Sequence, residues 1–241
     1  MAEPHTLRTG TDRLLFFLRK EDRMTRAVIL DFDGTLIDSL TQGITLMKRI
    51  VATLGCREPD WEHVRRRWGT YFRNLLAEVL PGVDVEVFHE HWRALEKECT
   101  HGYPAYPGAR ATVEILRARG LATALHTNRG PAERLDDRLR EANLPRTLFD
   151  VIHTPGDGTP PKPHPDSLRA VLQKLARHAD LRDPQSACVV SDHTDDARMA
   201  LEVGCRFVGV LTGAASRADF ERFGMRVTIV KSIADVPPIL D

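Results

Sequence analysis

This chain of 241 residues has few cysteines and few aromatic residues, and its formal net charge is zero. The four cysteines, Cys56, Cys99, Cys188 and Cys205, are far apart and form no Cys-x-x-Cys pair. This spacing argues against a disulfide framework and against a zinc site. The 34 basic and 34 acidic side chains balance, so no overall electric field favours binding to nucleic acid or to an anionic membrane.

Long apolar runs are also missing. No stretch approaches the roughly 20 apolar residues that span a bilayer, and the run from Leu14 to Leu18 is too short for the apolar core of a secretory signal. We therefore expect a cytoplasmic protein with reduced thiols and no membrane association. Residues 1–23 precede the first strand, and we predict that this N-terminal extension is dispensable for catalysis.

What the chain does have, from Ala27 onward, is an alternation of strands and helices. This alternation predicts an α/β fold with a Rossmann-like parallel sheet and helices on both faces. Between the strands, apolar residues recur at the three-and-four spacing of one buried helix face, as in Leu168, Val171 and Leu175. The predicted strands are Ala27 to Asp31, Leu121 to His126, Asp150 to His153, Ala187 to Ser191, Arg206 to Leu211 and Arg226 to Val230.

One connection is too long for this alternation. From Asp33 to Thr127 is 94 residues, whereas a strand-helix-strand unit needs about 30 or somewhat more. The extra segment has the apolar periodicity of three amphipathic helices, running from Ile44 to Leu54, from Val64 to Val79 and from Phe88 to Cys99.

The long connection defines the predicted domains. Residues 24–40 and 106–241 are predicted to form the α/β core domain. Residues 41–105 are predicted to form a small all-helical cap domain, inserted after the first strand. Ligands of such sheets bind outside the carboxyl ends of the strands, and this is where we expect the cap to lie.

Four polar clusters lie at or beside the ends of predicted strands. Each has an ordinary explanation when taken alone, because an Asp after a strand is often a helix cap, a Thr-Asn pair is usually a turn and a loop lysine is usually solvated. The clusters are Asp31-Phe32-Asp33-Gly34-Thr35, His126-Thr127-Asn128, Lys162 in a Pro- and Gly-rich loop, and Ser191-Asp192-His193-Thr194-Asp195-Asp196.

Together and in this order, the four clusters resemble the haloacid dehalogenase superfamily of phosphohydrolases, from about Ala27 to the end of the chain. The most specific part is the motif Asp-Phe-Asp-Gly-Thr-Leu-Ile-Asp-Ser at 31–39. Lys162-Pro163-His164-Pro165 and the stretch 196–204 look like the subgroup that contains phosphoglycolate phosphatase and β-phosphoglucomutase. The helical insert fits the cap domain of that subgroup.

The resemblance implies a Mg²⁺-dependent phosphatase. Asp31 would be the nucleophile that forms an aspartyl-phosphate, and Asp33 would act as the general acid and base. Mg²⁺ would be held by Asp31, by the backbone carbonyl of Asp33 and by Asp192, with Asp196 beside it. Asp196 would orient Lys162 or a metal-bound water, and the adjacent Asp195 is its competitor for that role.

The resemblance also implies a binding site for the phosphoryl group. Thr127 would donate a hydrogen bond to it and Lys162 would place a positive charge beside it. Gly34 and Asn128 complete the predicted substrate-binding set. The sequence departs from the family pattern at Ser191, where glycine is commoner, and at His193, where a small hydroxyl residue is usual.

The partner is expected to be a small phosphorylated metabolite, with 2-phosphoglycolate favoured. A basic group of the predicted cap is a candidate for binding its second anionic group, although such a run is more often a solvated helix face. Two alternatives stay open, a sugar-phosphate mutase of the same superfamily and a non-catalytic phosphate-binding or phosphoacceptor regulatory protein. The chain is expected to be a monomer or a homodimer. The basic group comprises His63, Arg65, Arg66, Arg67 and Arg73.

Overall fold

The structure is a computed structural model, and it describes residues 24–98, 102–129 and 134–240. The predictions for residues 1–23 and for Cys99 therefore lie outside the described residues. No helix in the described ranges is long and apolar enough to cross a membrane.

The centre of the fold is a six-stranded sheet with the strand order β3-β2-β1-β4-β5-β6. Every neighbouring pair of strands is parallel. The predicted α/β fold with a parallel Rossmann-like sheet is thus confirmed, with each strand within one residue of its predicted ends. The strands are β1 (Ala27–Leu30), β2 (Ala122–His126), β3 (Val151–His153), β4 (Ala187–Ser191), β5 (Arg206–Val210) and β6 (Val227–Val230).

Helices cover both faces of the sheet, as the apolar character of its central strands requires. Val28 and Leu30 of β1 pack into one apolar cluster, whereas Ala27 and Ile29 pack into another on the opposite face, because successive side chains of a strand point to opposite sides. The helices of the described ranges are α1 (Leu40–Thr53), α2 (Trp61–Arg66), α3 (Phe72–Val79), α4 (Val85–Glu96), α5 (Ala109–Ala118), α6 (Leu135–Glu141), α7 (Pro165–Leu175), α8 (Thr194–Val203) and α9 (Arg217–Glu221).

Helices α1 to α4 lie between β1 and β2 and form a unit that we call the helical insert (residues 40–96). Its apolar cluster is separate from those of the sheet and includes Met47, Ile50 and Phe88. The chain enters and leaves the insert through two adjacent segments, since the Asp38 amide donates to the Pro104 carbonyl at 2.8 Å. These features support the predicted cap, and its domain boundaries stay a prediction.

The prediction of three helices in the insert is wrong in its middle part. The apolar pattern from Val64 to Val79 is divided between α2 and α3 rather than forming one helix. Gly69 lies between them with φ +90°, a left-handed conformation that a right-handed helix cannot contain and that glycine adopts at little cost. The resulting turn brings the Gly69 carbonyl within 3.3 Å of the Asn128 side-chain nitrogen.

Candidate active site

The polar clusters predicted from sequence meet at the carboxyl ends of the three central strands. Asp31 follows β1, Thr127 follows β2 and Asp192 follows β4, and β1 lies between the other two strands. The Asp31 amide still donates to the Val190 carbonyl at 3.0 Å, so the sheet's hydrogen bonding extends to the first site residue. The parallel sheet thereby gathers residues that are up to 161 positions apart.

Lys162 is the fixed cation of this site. Its side chain is buried, and Nζ donates to Oδ1 of Asp31 at 2.7 Å and to Oδ2 of Asp196 at 2.8 Å. The side chain of Asn128 holds the Lys162 main chain in place, accepting from the amide at 2.8 Å and donating to the carbonyl at 3.1 Å. Asn128 thus positions the lysine, and its predicted contact with substrate stays a prediction.

The buried carboxylates raise one another's pKa. Burial is the largest cause of the high pKa of Asp31; Asp196 and Asp192 raise it further, whereas Lys162 opposes them. Burial also raises the pKa of Asp192. For Lys162, burial alone would lower the pKa, but Asp196 and Asp31 raise it overall, so the ammonium stays charged. An added cation at this site would relieve the remaining repulsion between carboxylates.

Asp192 lies in a close-fitting cradle. Its Oδ1 accepts from the Thr35 hydroxyl at 2.9 Å, and its Oδ2 accepts from the Ala214 amide at 2.7 Å. A Cβ atom at Gly34 would lie 2.3 Å from Oδ2, and a Cβ atom at Gly213 would lie 1.9 Å from it. Both positions therefore exclude any side chain, and the cradle fixes the direction of the carboxylate.

The added methyl group of Gly34→Ala would push the Asp192 carboxylate out of its cradle. With Asp192 as the predicted Mg²⁺ ligand, the Mg²⁺ dissociation constant of Gly34→Ala is expected to rise by about 10- to 100-fold, the usual cost of disturbing the groups that orient a metal ligand. The measurement is a calorimetric titration of the protein with Mg²⁺. Gly120→Ala is the matched control, because Gly120 has φ +79° against +80° for Gly34 and has open space around it. Equal Mg²⁺ affinities of the two variants would contradict the role of the cradle.

The donor set fits Mg²⁺. This ion prefers oxygen ligands, keeps several waters and takes only one or two carboxylates from the protein. Asp31, Asp192 and the backbone carbonyl of Asp33 supply oxygens of this kind. Among the residues that the structure describes, no group of three or more acidic, histidine or cysteine side chains is placed to hold a metal ion.

The structure distinguishes Asp196 from its neighbour Asp195. Oδ2 of Asp196 accepts from Lys162 and also from the Ser191 hydroxyl at 2.7 Å. Asp195 instead accepts from Arg67 of the helical insert at 2.9 Å. Asp196, and not Asp195, therefore contacts Lys162. Ser191, which stands where the family pattern more commonly has glycine, supplies a hydroxyl that hydrogen-bonds to Asp196. The departure at His193 also has a partner, since its Nε2 lies 3.1 Å from the Arg66 carbonyl of the insert.

Arg129 is a site residue that sequence reasoning missed. Its Nε lies 3.1 Å from Oδ2 of Asp33 and its Nη2 lies 2.5 Å from Oδ1, a two-pronged ion pair. Burial would raise the pKa of Asp33, but Arg129 outweighs burial and the pKa is lowered. The pair with Arg129 therefore favours the ionised form of Asp33. The sequence indicates Arg129 only through its position, directly after the predicted site residues Thr127 and Asn128.

A cleft opens beside Asp33, between the helical insert and the sheet. Its empty volume is about 730 Å³, including the solvent-filled space at its mouth. We call it the aromatic cleft. One wall is formed by Trp68, Phe72 and Trp92 of the insert, and the opposite wall includes Arg129, Arg134 and Arg138.

The basic group predicted in the cap does not line this cleft within the described ranges. Its members face other partners. His63 lies 2.6 Å from Glu78, and Arg73 pairs with Glu86 at 3.2 Å with its side chain 59% exposed. Arg67 links the insert to Asp195. The basic residue that the insert does contribute to the cleft is Arg93 of α4.

Comparison with known proteins agrees with this geometry. Residues 28–210 match the family model of the haloacid dehalogenase-like hydrolases. A phosphoglycolate phosphatase of Pseudomonas putida is 31% identical over 205 residues, which cover 79% of this chain and 71% of the relative. A phosphoglycolate phosphatase of Aquifex aeolicus is 28% identical over 192 residues, covering 78% of this chain and 85% of the relative.

Solved structures show the same fold. A hydrolase from Pseudomonas syringae superposes with a TM-score of 0.71 at 22% identity, covering 90% of this chain and 98% of the other. CbbY from Rhodobacter sphaeroides, solved in complex with phosphate, gives 0.70 at 21% identity, covering 89% and 97%. The family and the relatives agree with the predicted enzyme class, a phosphatase. This chain belongs to the haloacid dehalogenase-like hydrolases.

Proposed function

We propose that this protein is a Mg²⁺-dependent phosphatase that hydrolyses a small phosphorylated metabolite through an aspartyl-phosphate on Asp31. The observation that carries the proposal is the buried constellation in which Lys162 bridges Asp31 and Asp196 beside the cradled Asp192. The names of the curated relatives favour 2-phosphoglycolate as the first substrate to test. The cytoplasmic location and the monomeric or homodimeric state stay predictions.

The first step is attack by a carboxylate oxygen of Asp31 on phosphorus. The bond between phosphorus and the ester oxygen breaks, and that oxygen takes a proton from Asp33. In the second step Asp33 accepts a proton from water, which attacks the phosphorus and returns Asp31 as a free carboxylate. Asp33 fits both steps because it lies two residues after the nucleophile, at the edge of the aromatic cleft.

The other predicted residues bind the phosphoryl group in this proposal. Lys162 presents a fixed positive charge beside the attacking oxygen of Asp31, which stabilises charge as it develops on the phosphoryl oxygens. Gly34 and Thr127 would contribute a close backbone approach and a hydroxyl group. Mg²⁺, held by Asp31, Asp192 and the Asp33 carbonyl, would offset the repulsion between the Asp31 carboxylate and the phosphate.

Arg129 must release Asp33 before the first step, because Asp33 can give up a proton only if it carries one. The phosphoryl group of a bound substrate is suited to draw Arg129 away, since the guanidinium binds phosphate oxygens in a two-pronged fashion. The Arg129–Asp33 pair therefore describes the enzyme without substrate. The insert, which borders the cleft on one side, is proposed to act as the cap that covers the bound substrate.

The test is phosphate release from a panel of phosphate esters that includes 2-phosphoglycolate, with and without Mg²⁺. We expect release that requires Mg²⁺ and stops on addition of EDTA. Interconversion of sugar phosphates with little free phosphate would support the mutase instead. A folded protein that releases phosphate from no ester would refute the proposed hydrolysis.

A further inference from the structure

The aromatic cleft has an unusual combination of walls. The ring of Trp92 contacts those of Trp68 and Phe72, with ring centroids 6.4 Å apart for the two tryptophans and 5.9 Å apart for Phe72 and Trp92. His89 stacks on Phe72 at 5.0 Å with an angle of 22° between the ring planes. Phe72, His89 and Trp92 are half-buried and line the cleft, so they offer flat apolar surface to a ligand. Trp68 lies behind them and is 7% exposed.

The same cleft is lined by charged side chains. Four arginines and two carboxylates, Asp33 and Glu96, belong to its lining. Glu96 is buried, and Arg134 lies 3.3 Å from it. Arg138 also pairs with Glu96, yet its Nε atom is buried with no hydrogen-bond partner among the described residues. Arg93 makes no ion pair with any residue that the structure describes. Arg134 and Arg138 pair in addition with Asp137 and Glu141. Arg93 is therefore the cation of the lining that can attract an anionic ligand.

The position of Asp33 decides which part of a substrate enters the cleft. Under the proposed function, Asp33 gives its proton to the ester oxygen, so the alcohol that leaves must lie on the Asp33 side of phosphorus. The aromatic cleft opens from that side. The rings of Phe72, His89 and Trp92 line that side of the cleft, and the two-carbon glycolate group has no ring to place against them.

We propose that the alcohol released by this enzyme is an aromatic ring compound that carries a carboxylate, its ring against Phe72 and Trp92 and its carboxylate toward Arg93. This inference rests on the proposed function for the placement of the alcohol. It predicts that aryl phosphates with a carboxylate are better substrates than 2-phosphoglycolate.

The chain offers a direct probe of ring binding. It contains three tryptophans, of which Trp68 and Trp92 line the cleft and Trp61 does not. In a Trp61→Phe protein, all tryptophan fluorescence therefore comes from the cleft. The ligands are methylphosphonate, phenylphosphonate and carboxyphenylphosphonate, which cannot be hydrolysed, each titrated in the presence of Mg²⁺.

We expect carboxyphenylphosphonate to change the tryptophan emission and to bind at least about tenfold more tightly than methylphosphonate, a difference of about 1.4 kcal/mol. Arg93→Gln should weaken its binding and leave phenylphosphonate unaffected. Arg73→Gln is the matched control and should change neither, since that arginine of the insert pairs with Glu86 outside the cleft. Equal binding of all three phosphonates with unchanged emission would overturn the inference.

These measurements separate the two proposals. Ring-dependent binding without hydrolysis of any ester would leave the ligand class standing and overturn the phosphatase mechanism. Hydrolysis of 2-phosphoglycolate at a higher kcat/KM than carboxyphenyl phosphate, with no ring-dependent binding, would support the phosphatase mechanism and overturn the inferred ligand class.

Discussion

Asp31→Asn is expected to lower phosphate release by at least about 10³-fold while leaving the thermal midpoint of unfolding unchanged or higher. Activity falls because an amide oxygen cannot attack phosphorus as a carboxylate does. Stability does not fall because burial, Asp196 and Asp192 all disfavour the ionised form of Asp31, and asparagine is neutral. The measurements are phosphate release and thermal unfolding of the metal-free protein.

The pH dependence of this stability difference has a definite sign. The pKa of folded Asp31 lies above its unfolded value, so its ionisation costs stability as the pH rises through the folded pKa. The gain of Asp31→Asn is therefore expected at neutral pH and should vanish below about pH 4, where the carboxyl group is protonated in both states. A variant that retains phosphate release would exclude Asp31 as the nucleophile, whatever its stability.

Lys162→Met is expected to abolish phosphate release and also to lower the free energy of unfolding by about 3–5 kcal/mol at neutral pH, the usual cost of removing one partner of a buried ion pair. The lysine is 5% exposed and is the ammonium that Asp31 and Asp196 share. Without it, the buried carboxylates lack their compensating charge. The measurement is urea unfolding of the metal-free protein.

Lys174→Met is the matched control, because its ion pair with Asp157 involves a side chain that is 40% exposed and screened by water. Its cost should stay below about 1 kcal/mol. Adding Asp196→Asn to Lys162→Met should restore part of the lost stability, since one unpaired charge is removed. Equal losses for the two lysine variants, with no recovery in the double variant, would show that Lys162 is not the compensating charge of the site.

The active site illustrates how far residue order can predict tertiary contacts. Asp31, Thr127 and Asp192 were each placed at the end of a strand, and carboxyl ends of parallel strands meet at one edge. Lys162 required the family resemblance, because a loop lysine has no periodic pattern to indicate where it lies. Asn128, just after β2, accepts a hydrogen bond from the Lys162 amide and so helps to position the side chain that contacts Asp31 and Asp196.

The helical insert shows the opposite case. Its apolar spacing predicted helices and a separate core, and both are present. The same spacing ran through Gly69, because the residues before and after the turn face the same apolar cluster. Only the left-handed backbone at Gly69 decided that α2 and α3 are separate, and this turn places Trp68 and Phe72 in the wall of the aromatic cleft.

Sequence patterns alone predict the six strands, the helical insertion after β1 and the polar residues at the strand ends. Each of these depends on neighbours along the chain, through side-chain alternation and helical periodicity. The tertiary structure alone decided the Arg129–Asp33 pair, the Asp192 cradle and the charged aromatic cleft. Each joins residues from distant elements, such as Gly34 and Gly213 on the Asp192 carboxylate. Their positions depend on how the elements pack and not on any local pattern.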